Sequence, residues 1–87
     1  MILSGNGFCL EVANNSNGVH VHTGPPNNTP NQLWEFHPAK GEQGSYYIRS
    51  FCGKSLDVYQ QKKAKGTHVV QWDYNGGNNQ IWRVKLA

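Results

Sequence analysis

The tetrapeptide Asn31-Gln32-Leu33-Trp34 recurs near the end of the chain as Asn79-Gln80-Ile81-Trp82. Its neighbourhood recurs in the same order: Gly-Phe-Cys-Leu-Glu-Val at 7–12 matches Gly-Lys-Ser-Leu-Asp-Val at 53–58, and Gly-Val-His-Val at 18–21 matches Gly-Thr-His-Val at 66–69. Three anchors at nearly constant spacing indicate two copies of one supersecondary unit. We therefore predict a single domain, 1–87, built from repeat one (1–44) and repeat two (45–87).

Both repeats show the pattern of short β-strands. Apolar residues stand two positions apart, so one face of each strand can turn inward; the pairs are Leu10/Val12, Trp34/Phe36, Leu56/Val58 and Trp82/Val84. Segments rich in the turn-formers Asn, Gly and Pro separate them, at 14–18, 24–28 and 75–78. No long window carries a helical apolar stripe. The chain is predicted to be all-β.

Composition sets outer limits on the class of protein. The chain has a mass of 9.7 kDa, a net charge of +3 and 37% hydrophobic residues. A domain of this size buries only about 60% of its unfolded surface, so we expect marginal stability. No apolar run approaches the roughly 18 residues of a membrane span. A secretion signal is not visible at the start, although a mature chain would have lost one, so localisation stays open between cytosol and secretion.

Repeat two resembles a known family. Leu-Asp-Val at 56–58, Gly-Thr-x-Val-x-x-Trp at 66–72 and Asn-Gln-x-Trp at 79–82 are similar to the motifs of ricin-type, or QxW, β-trefoil lectins. The resemblance implies units of about four strands, three of them around a pseudo-threefold axis, each with one possible sugar site. This chain has two units, and Met1-Ile2-Leu3 stands where repeat two has the longer stretch 45–49.

The candidate site lies in repeat two. Val21 and Val69 match across the repeats as inward residues, so strand alternation turns Trp72, three positions after Val69, to the opposite face. An outward tryptophan is a flat platform on which a sugar face can stack, or alternatively a rim or interface residue. Asp57 can accept hydrogen bonds from sugar hydroxyls.

Asn79 offers a donor and an acceptor. By resemblance, Asp57, Trp72 and Asn79 occupy the family's sugar-binding positions, and Gln80 supports them. The resemblance also implies galactose-type glycans, although Val70 stands where the family often has a glutamine.

Repeat one is predicted to carry a degenerate second site at Glu11 and Asn31. Gly24 matches Trp72, so no ring is available for stacking, with His22 or His37 as an alternative platform. Trp34 and Trp82 are expected in the core, and Gln32 and Gln80 are expected to tie backbone segments together.

Other groups of residues point to weaker alternatives. The resemblance implies a disulfide from Cys9, but its partner position is Pro26, and the matching pair in repeat two is Ser55 and Tyr74. Two reduced thiols are therefore expected at Cys9 and Cys52, with a Cys9–Cys52 bond as the alternative.

A metal site is not expected. His20 and His22 have the spacing of chelating residues but lack a third ligand. The Lys62-Lys63-Ala64-Lys65 run is interpreted as a solvated turn rather than a nucleic-acid surface, because it lacks interleaved aromatic residues. We expect neither cofactor nor nucleic acid.

Catalysis is not expected either. A glycosidase needs two carboxylates flanking one bond, and the five acidic residues offer no matched pair: Glu11, Glu35, Glu42, Asp57 and Asp73. The predicted function is a non-enzymatic lectin. The alternatives are a structural or protein-interaction module and a carbohydrate-binding appendage of a larger glycan-processing enzyme.

Two units cannot close a threefold fold, so we expect the trefoil to be completed by oligomerisation. One solution is a C3 trimer in which three first repeats form one trefoil and three second repeats form another, with the joint 37–45 extended. The other is a partner fragment that supplies the third unit.

Overall fold

The structure, a computed structural model, describes residues 1–39, 41 and 43–84. It contains seven short strands: β1 (Cys9–Val12), β2 (Val21–Gly24), β3 (Glu35–Pro38), β4 (Ser45–Arg49), β5 (Ser55–Val58), β6 (Val69–Trp72) and β7 (Trp82–Arg83). Three single turns of 3-10 helix interrupt them, at Pro30–Gln32, Tyr59–Gln61 and Asn78–Gln80. The described part of the chain has no α-helix, which confirms the predicted all-β class.

The strands form two antiparallel sheets. β1 pairs with β2, and a second sheet runs in the order β3-β4-β5-β6, with β7 also paired to β4. The predicted boundary between the repeats falls in the loop between β3 and β4, and these two strands pair over four positions. The backbone N–H of Ala39 also donates to the Ser45 carbonyl at 2.8 Å. The joint is therefore a hairpin, and the extended joint expected for the C3 trimer is not the conformation of this chain.

The loop that follows β1 is fixed to β6. The Gly18 N–H donates to the Gln71 carbonyl at 2.8 Å, and the Gln71 N–H donates to the Val19 carbonyl at 3.0 Å. The fully buried side chain of Gln71 donates from Nε2 to the carbonyls of Asn14, at 2.6 Å, and Ser16, at 3.2 Å. Repeat one thus holds the strand that ends in Trp72.

The core draws on both repeats. Its buried members are Val12, Trp34, Ile48 and Leu56, and the partly buried residues packed against them include Val21, Val69 and Trp82. The indole N–H of Trp34 donates to the Leu10 carbonyl at 3.0 Å, and that of Trp82 donates to the Leu56 carbonyl at 3.1 Å. The predicted inward positions of the two valines and the two motif tryptophans are confirmed.

Two predicted core positions are wrong. Phe36 is 46% exposed and Val84 is 50% exposed. Trp34 lies before β3 rather than on it, and β7 ends at Arg83, so neither apolar pair sits on one continuous strand. Alternation therefore cannot place the second member of each pair on the face of the first.

The structure also places the cysteines, His20 and the lysine run that the sequence singled out. Cys9 and Cys52 are free thiols. His20 stacks on His68, with ring centroids 4.1 Å apart, and the residues from Lys62 to Lys65 lie in an exposed turn. None of the helices in the described residues is long and apolar enough to cross a membrane.

Candidate functional site

A cleft of about 330 Å³ opens beside Trp72 in repeat two. Its lining contains three of the four predicted site residues, Asp57, Trp72 and Asn79. The other four lining residues were not among the predicted site residues: Tyr59, Gln60, Gln61 and Asn75. We call this the Trp72 cleft.

Trp72 stands at the end of β6, paired with Ser55 of β5, and is 38% exposed. Its six-membered ring packs against Gly18 of repeat one. A Cβ atom added to Gly18 would lie 3.3 Å from the Cζ3 atom of Trp72, and Gly18 has a φ of +82°. Glycine is therefore favoured here for its backbone conformation and for its closeness to the ring. The partly exposed ring is thus supported by a residue of the other repeat.

Asp57 forms a polar group at the Trp72 cleft. It lies on β5 and is only 4% exposed. Its Oδ2 atom accepts a hydrogen bond from Nε2 of Gln80 at 2.9 Å. A buried carboxylate needs such donors because losing water is costly. Asp57 is thus an oriented acceptor, the kind of group that binds hydroxyl donors most strongly.

Gln80 lies behind Asp57 rather than in the lining. It is fully buried, and its Nε2 also donates to the Asp73 carbonyl at 3.0 Å. Its Oε1 accepts from the backbone N–H of Asn75 at 3.0 Å. Gln80 therefore positions one carboxylate and the loop that follows Trp72, which matches the backbone-tying role expected from the sequence.

Asn79 is used differently from the sequence expectation. Its Nδ2 donates one hydrogen to the Val58 carbonyl at 3.1 Å. Its Oδ1 is buried and has no hydrogen-bond partner among the described residues. The expected free pair of donor and acceptor is therefore reduced, and the second hydrogen of Nδ2 is the group that remains for a ligand.

The wall that the sequence reasoning missed is the 3-10 turn Tyr59–Gln61. Gln60 and Gln61 have φ angles of 54° and 56°, in the left-handed region that favours glycine. A length difference could have revealed this wall, because seven residues separate Val58 from Gly66 but five separate Val12 from Gly18. The longer connection makes room for the turn.

In repeat one, Glu11 fills the space where a ring would stand. A Cβ atom added to Gly24 would overlap Oε1 of Glu11 and would lie 2.7 Å from its Cδ. Gln32 donates from Nε2 to Oε1 at 2.9 Å, and Nε2 of His22 lies 3.0 Å from Oε2. The Gln32 hydrogen bond, with a smaller contribution from His22, lowers the pKa of Glu11 despite the opposing effect of burial.

The other repeat-one candidates do not build a platform. Asn31 donates from Nδ2 to the Val12 carbonyl at 3.0 Å, just as Asn79 does in repeat two. His22 is engaged by Glu11, and His37 lies on β3 opposite Tyr47, with Nε2 3.9 Å from Glu35. In the described residues no group of three His, Cys, Asp or Glu side chains could hold a metal ion.

A polar clamp joins the repeats next to Trp72. Asn17 donates from Nδ2 to Asp73 Oδ2 at 2.9 Å, and its Oδ1 accepts from the Asp73 N–H at 2.9 Å. Lys54 donates to Asp73 Oδ1 at 2.6 Å. The Asn17 hydrogen bond, followed by Lys54, lowers the pKa of Asp73. The residue after the ring is thus held by repeat one.

Comparison with known proteins identifies the family. The model described as "Ricin-type beta-trefoil lectin domain-like" matches residues 3–72 and, in an overlapping match, residues 30–87. The chain belongs to this family. Its membership supports carbohydrate binding as its function.

Individual relatives agree with the family and show how much of a protein this chain represents. The main hemagglutinin component type C of Clostridium botulinum C phage is 28% identical over 83 residues, which cover 93% of this chain and 28% of that protein. The chain therefore spans less than a third of that relative.

Two solved structures share the fold. The designed threefold-symmetric protein ThreeFoil matches with a TM-score of 0.84 and 34% identity, over 92% of this chain and 59% of that one. The exo-β-1,3-galactanase 1,3Gal43A from Clostridium thermocellum matches with a TM-score of 0.84 and 28% identity, over 99% of this chain and 21% of that one. The β-trefoil fold implied by the family resemblance is confirmed.

Proposed function

We propose that this chain is a lectin module that binds a saccharide in the Trp72 cleft. The observation that carries the proposal is the meeting, in one cleft, of an exposed indole ring with a buried carboxylate held by Gln80. A sugar ring has an apolar C–H face and a rim of hydroxyls. Such a ligand needs a flat apolar surface below it and oriented hydrogen-bonding groups beside it.

We propose a role for each site residue on the basis of its position in the cleft. Trp72 supplies the stacking surface, and Asp57 accepts hydrogen bonds from hydroxyls. Asn79 offers its second amide hydrogen, and Gln80 acts as a positioning residue through Asp57. The amides of Gln60 and Asn75 line the same cleft and add further groups for the hydroxyl rim.

We propose galactose-type glycans as the ligand, on the strength of the family's motifs. Val70 is 1% exposed and faces Asp57 across the β5–β6 pair. The side chain that often binds sugar in the family is therefore replaced here by a core residue. We propose that selectivity comes from the Tyr59–Gln61 wall and from Asn75.

Replacing Trp72 with alanine tests the site directly. We expect Trp72→Ala to weaken glycan binding by about 2 kcal/mol, near thirtyfold, because the stacking surface is lost. Tyr74→Ala is the matched control, since Tyr74 is another exposed ring two residues away that packs on Tyr47 and Arg49 rather than lining the cleft. A glycan array followed by calorimetry measures both. Equal binding by wild type and Trp72→Ala would contradict the assignment.

We also propose that a third unit packs against this chain in trans and makes the assembly multivalent. Nine large hydrophobic residues of the described chain are exposed, Phe36 and Val84 among them. We propose that Phe36 and Val84 belong to the surface that the third unit covers, because contiguous apolar surface favours association. Because the β3–β4 hairpin holds the two repeats together, a unit supplied by a partner fits better than an exchange of whole repeats among three chains.

Light scattering tests the assembly. We expect the purified chain to form a species larger than 9.7 kDa, and Phe36→Asp to shift it toward the single-chain mass. Association of single shallow sites would raise apparent affinity for immobilised glycans without any new contact. A monodisperse single-chain species with cooperative unfolding would contradict the proposal.

A second candidate is a carbohydrate-binding appendage of a larger protein. This candidate is favoured by how little of its relatives the chain covers, since it matches 28% of the hemagglutinin and 21% of the galactanase.

We propose no catalysis in this chain. Among the described residues that line the Trp72 cleft, Asp57 is the one carboxylate, whereas glycoside hydrolysis uses two. Release of reducing sugar from an oligosaccharide by the purified chain would contradict this.

A further inference from the structure

A second cleft of about 370 Å³ adjoins the Trp72 cleft. The two clefts share Gln61 and Asn79 in their linings, so they lie next to each other. The rest of its lining is Val58, Lys62, Lys63 and Asn78. We call this the lysine cleft.

The lysine cleft is positive and contains no opposing carboxylate in its lining. Lys54 is paired with Asp73, but Lys62 and Lys63 form no ion pair within the described part of the chain. The neutral side-chain amides of Gln61, Asn78 and Asn79 complete the lining, and such amides can hydrogen-bond to a charged group. The chemistry of this lining favours an anionic group.

The backbone places these lysines beside the saccharide site. Gln60 and Gln61 adopt left-handed φ angles that are unfavourable for residues with a side chain. The Lys62 N–H then donates to the Tyr59 carbonyl at 3.3 Å and closes the turn. Such strained residues concentrate where a chain holds a ligand. The turn thus forms one wall of the Trp72 cleft and delivers Lys62 and Lys63 to the next.

We infer that the ligand is an acidic oligosaccharide, with one sugar on Trp72 and a carboxylate or sulfate ester between Lys62 and Lys63. The inference rests on the proposed function, because it extends the Trp72 cleft by an adjoining subsite. A neutral glycan fills the first cleft alone, whereas an acidic one contacts both. The charge contacts are partly exposed to solvent, so their contribution falls as salt rises.

The experiment compares matched glycans on the purified chain. The probes are β-galactose, N-acetyl-β-galactosamine and N-acetyl-β-glucosamine, each neutral, as its 6-sulfate, and capped with glucuronic acid. The sulfate and uronic-acid arms distinguish the two sources of negative charge. We expect at least one acidic form to bind about three- to tenfold tighter than its neutral parent in low salt. The preference should shrink in about 0.5 M salt.

Variants assign the preference to the cleft. Lys62→Gln/Lys63→Gln should remove the acid preference while leaving the neutral parent's affinity within about twofold. Lys65→Gln is the matched control, because Lys65 is an exposed lysine of the same loop that lines neither cleft. It should keep the preference.

The outcomes separate the two proposals. Equal affinity for neutral and acidic forms, or an acid preference that survives Lys62→Gln/Lys63→Gln, overturns the subsite and leaves the Trp72 site standing. Binding of none of these probes overturns both.

Discussion

The two repeats share one hydrogen-bonded frame and differ in what occupies its open side. Five side-chain hydrogen bonds recur with donor–acceptor distances that agree within 0.1 Å: Trp34 to Leu10 and Trp82 to Leu56, Asn31 to Val12 and Asn79 to Val58, Gln32 to Pro25 and Gln80 to Asp73, Gln32 to Glu11 and Gln80 to Asp57, and the N–H of Asn27 to Gln32 and of Asn75 to Gln80. The repeated motif therefore stabilises the fold of both repeats. A repeat can keep these five hydrogen bonds without keeping a ligand-binding site.

The difference lies at two matched positions. In repeat two, Asp57 is short and leaves the space in front of Trp72 open. In repeat one, Glu11 is one methylene longer, Gly24 has no side chain, and the carboxylate fills the space and is satisfied by Gln32 and His22. Both oxygens of the Glu11 carboxylate thus have partners in the chain, whereas Gln80 binds only the Oδ2 atom of Asp57.

The largest effect we expect concerns the shared frame. Gln32→Ala and Gln80→Ala each remove three hydrogen bonds from a fully buried amide and leave a backbone N–H unpaired. Each should lower the free energy of unfolding by about 3 kcal/mol. Urea unfolding in sucrose, which stabilises the folded chain, measures both. Losses that differ by more than about 1 kcal/mol would show that the frames are not equivalent.

A second comparison concerns the two carboxylates. Asp57→Asn should weaken glycan binding by about 2 kcal/mol, near thirtyfold, because hydroxyls lose a charged acceptor. Glu11→Gln, its counterpart in repeat one, should leave affinity and stoichiometry unchanged, since Glu11 has partners on both carboxylate oxygens and fills the space beside Gly24. Calorimetry with one glycan measures both. A ligand density against Glu11 and Asn31 in a soaked crystal would refute the contrast.

The smallest effect concerns the clamp between the repeats. The pKa of Asp73 is lowered in the folded chain, so its ionised form adds stability above its usual pKa of about 3.9. That stability is lost as pH falls through the lowered folded value. The difference in unfolding free energy between wild type and Asp73→Asn should therefore be constant from pH 7 to about 5 and shrink below about 4.

Because the Asp73 side chain is 66% exposed, solvent screening keeps this difference small. Urea midpoints across this pH range provide the measurement. A difference in unfolding free energy that does not change with pH would show that the clamp stabilises the fold independently of the charge on Asp73.

Much of this molecule could be predicted from local sequence. The recurring Asn-Gln-x-Trp motif places one amide and one ring in each repeat where they bond the preceding strand. That geometry is local to the unit, so a repeat in sequence becomes a repeat in structure. The exposure of Trp72 was predicted from alternation along β6, but alternation alone does not explain it, because Val70 lies on the same face of the strand and is 1% exposed.

Tertiary structure decided the rest. By itself the sequence determined the all-β class, the repeated hydrogen-bonding motif and the central tryptophans. Together with the family resemblance, it also singled out Asp57, Trp72 and Asn79 as candidate site residues. Only the fold set Gly18 of repeat one against Trp72 of repeat two, brought the Tyr59–Gln61 turn over the cleft, and turned Glu11 into the space in front of Gly24. Spacing along a strand governs which face a side chain takes. Packing between segments far apart in the chain governs whether that face is open, supported or already filled.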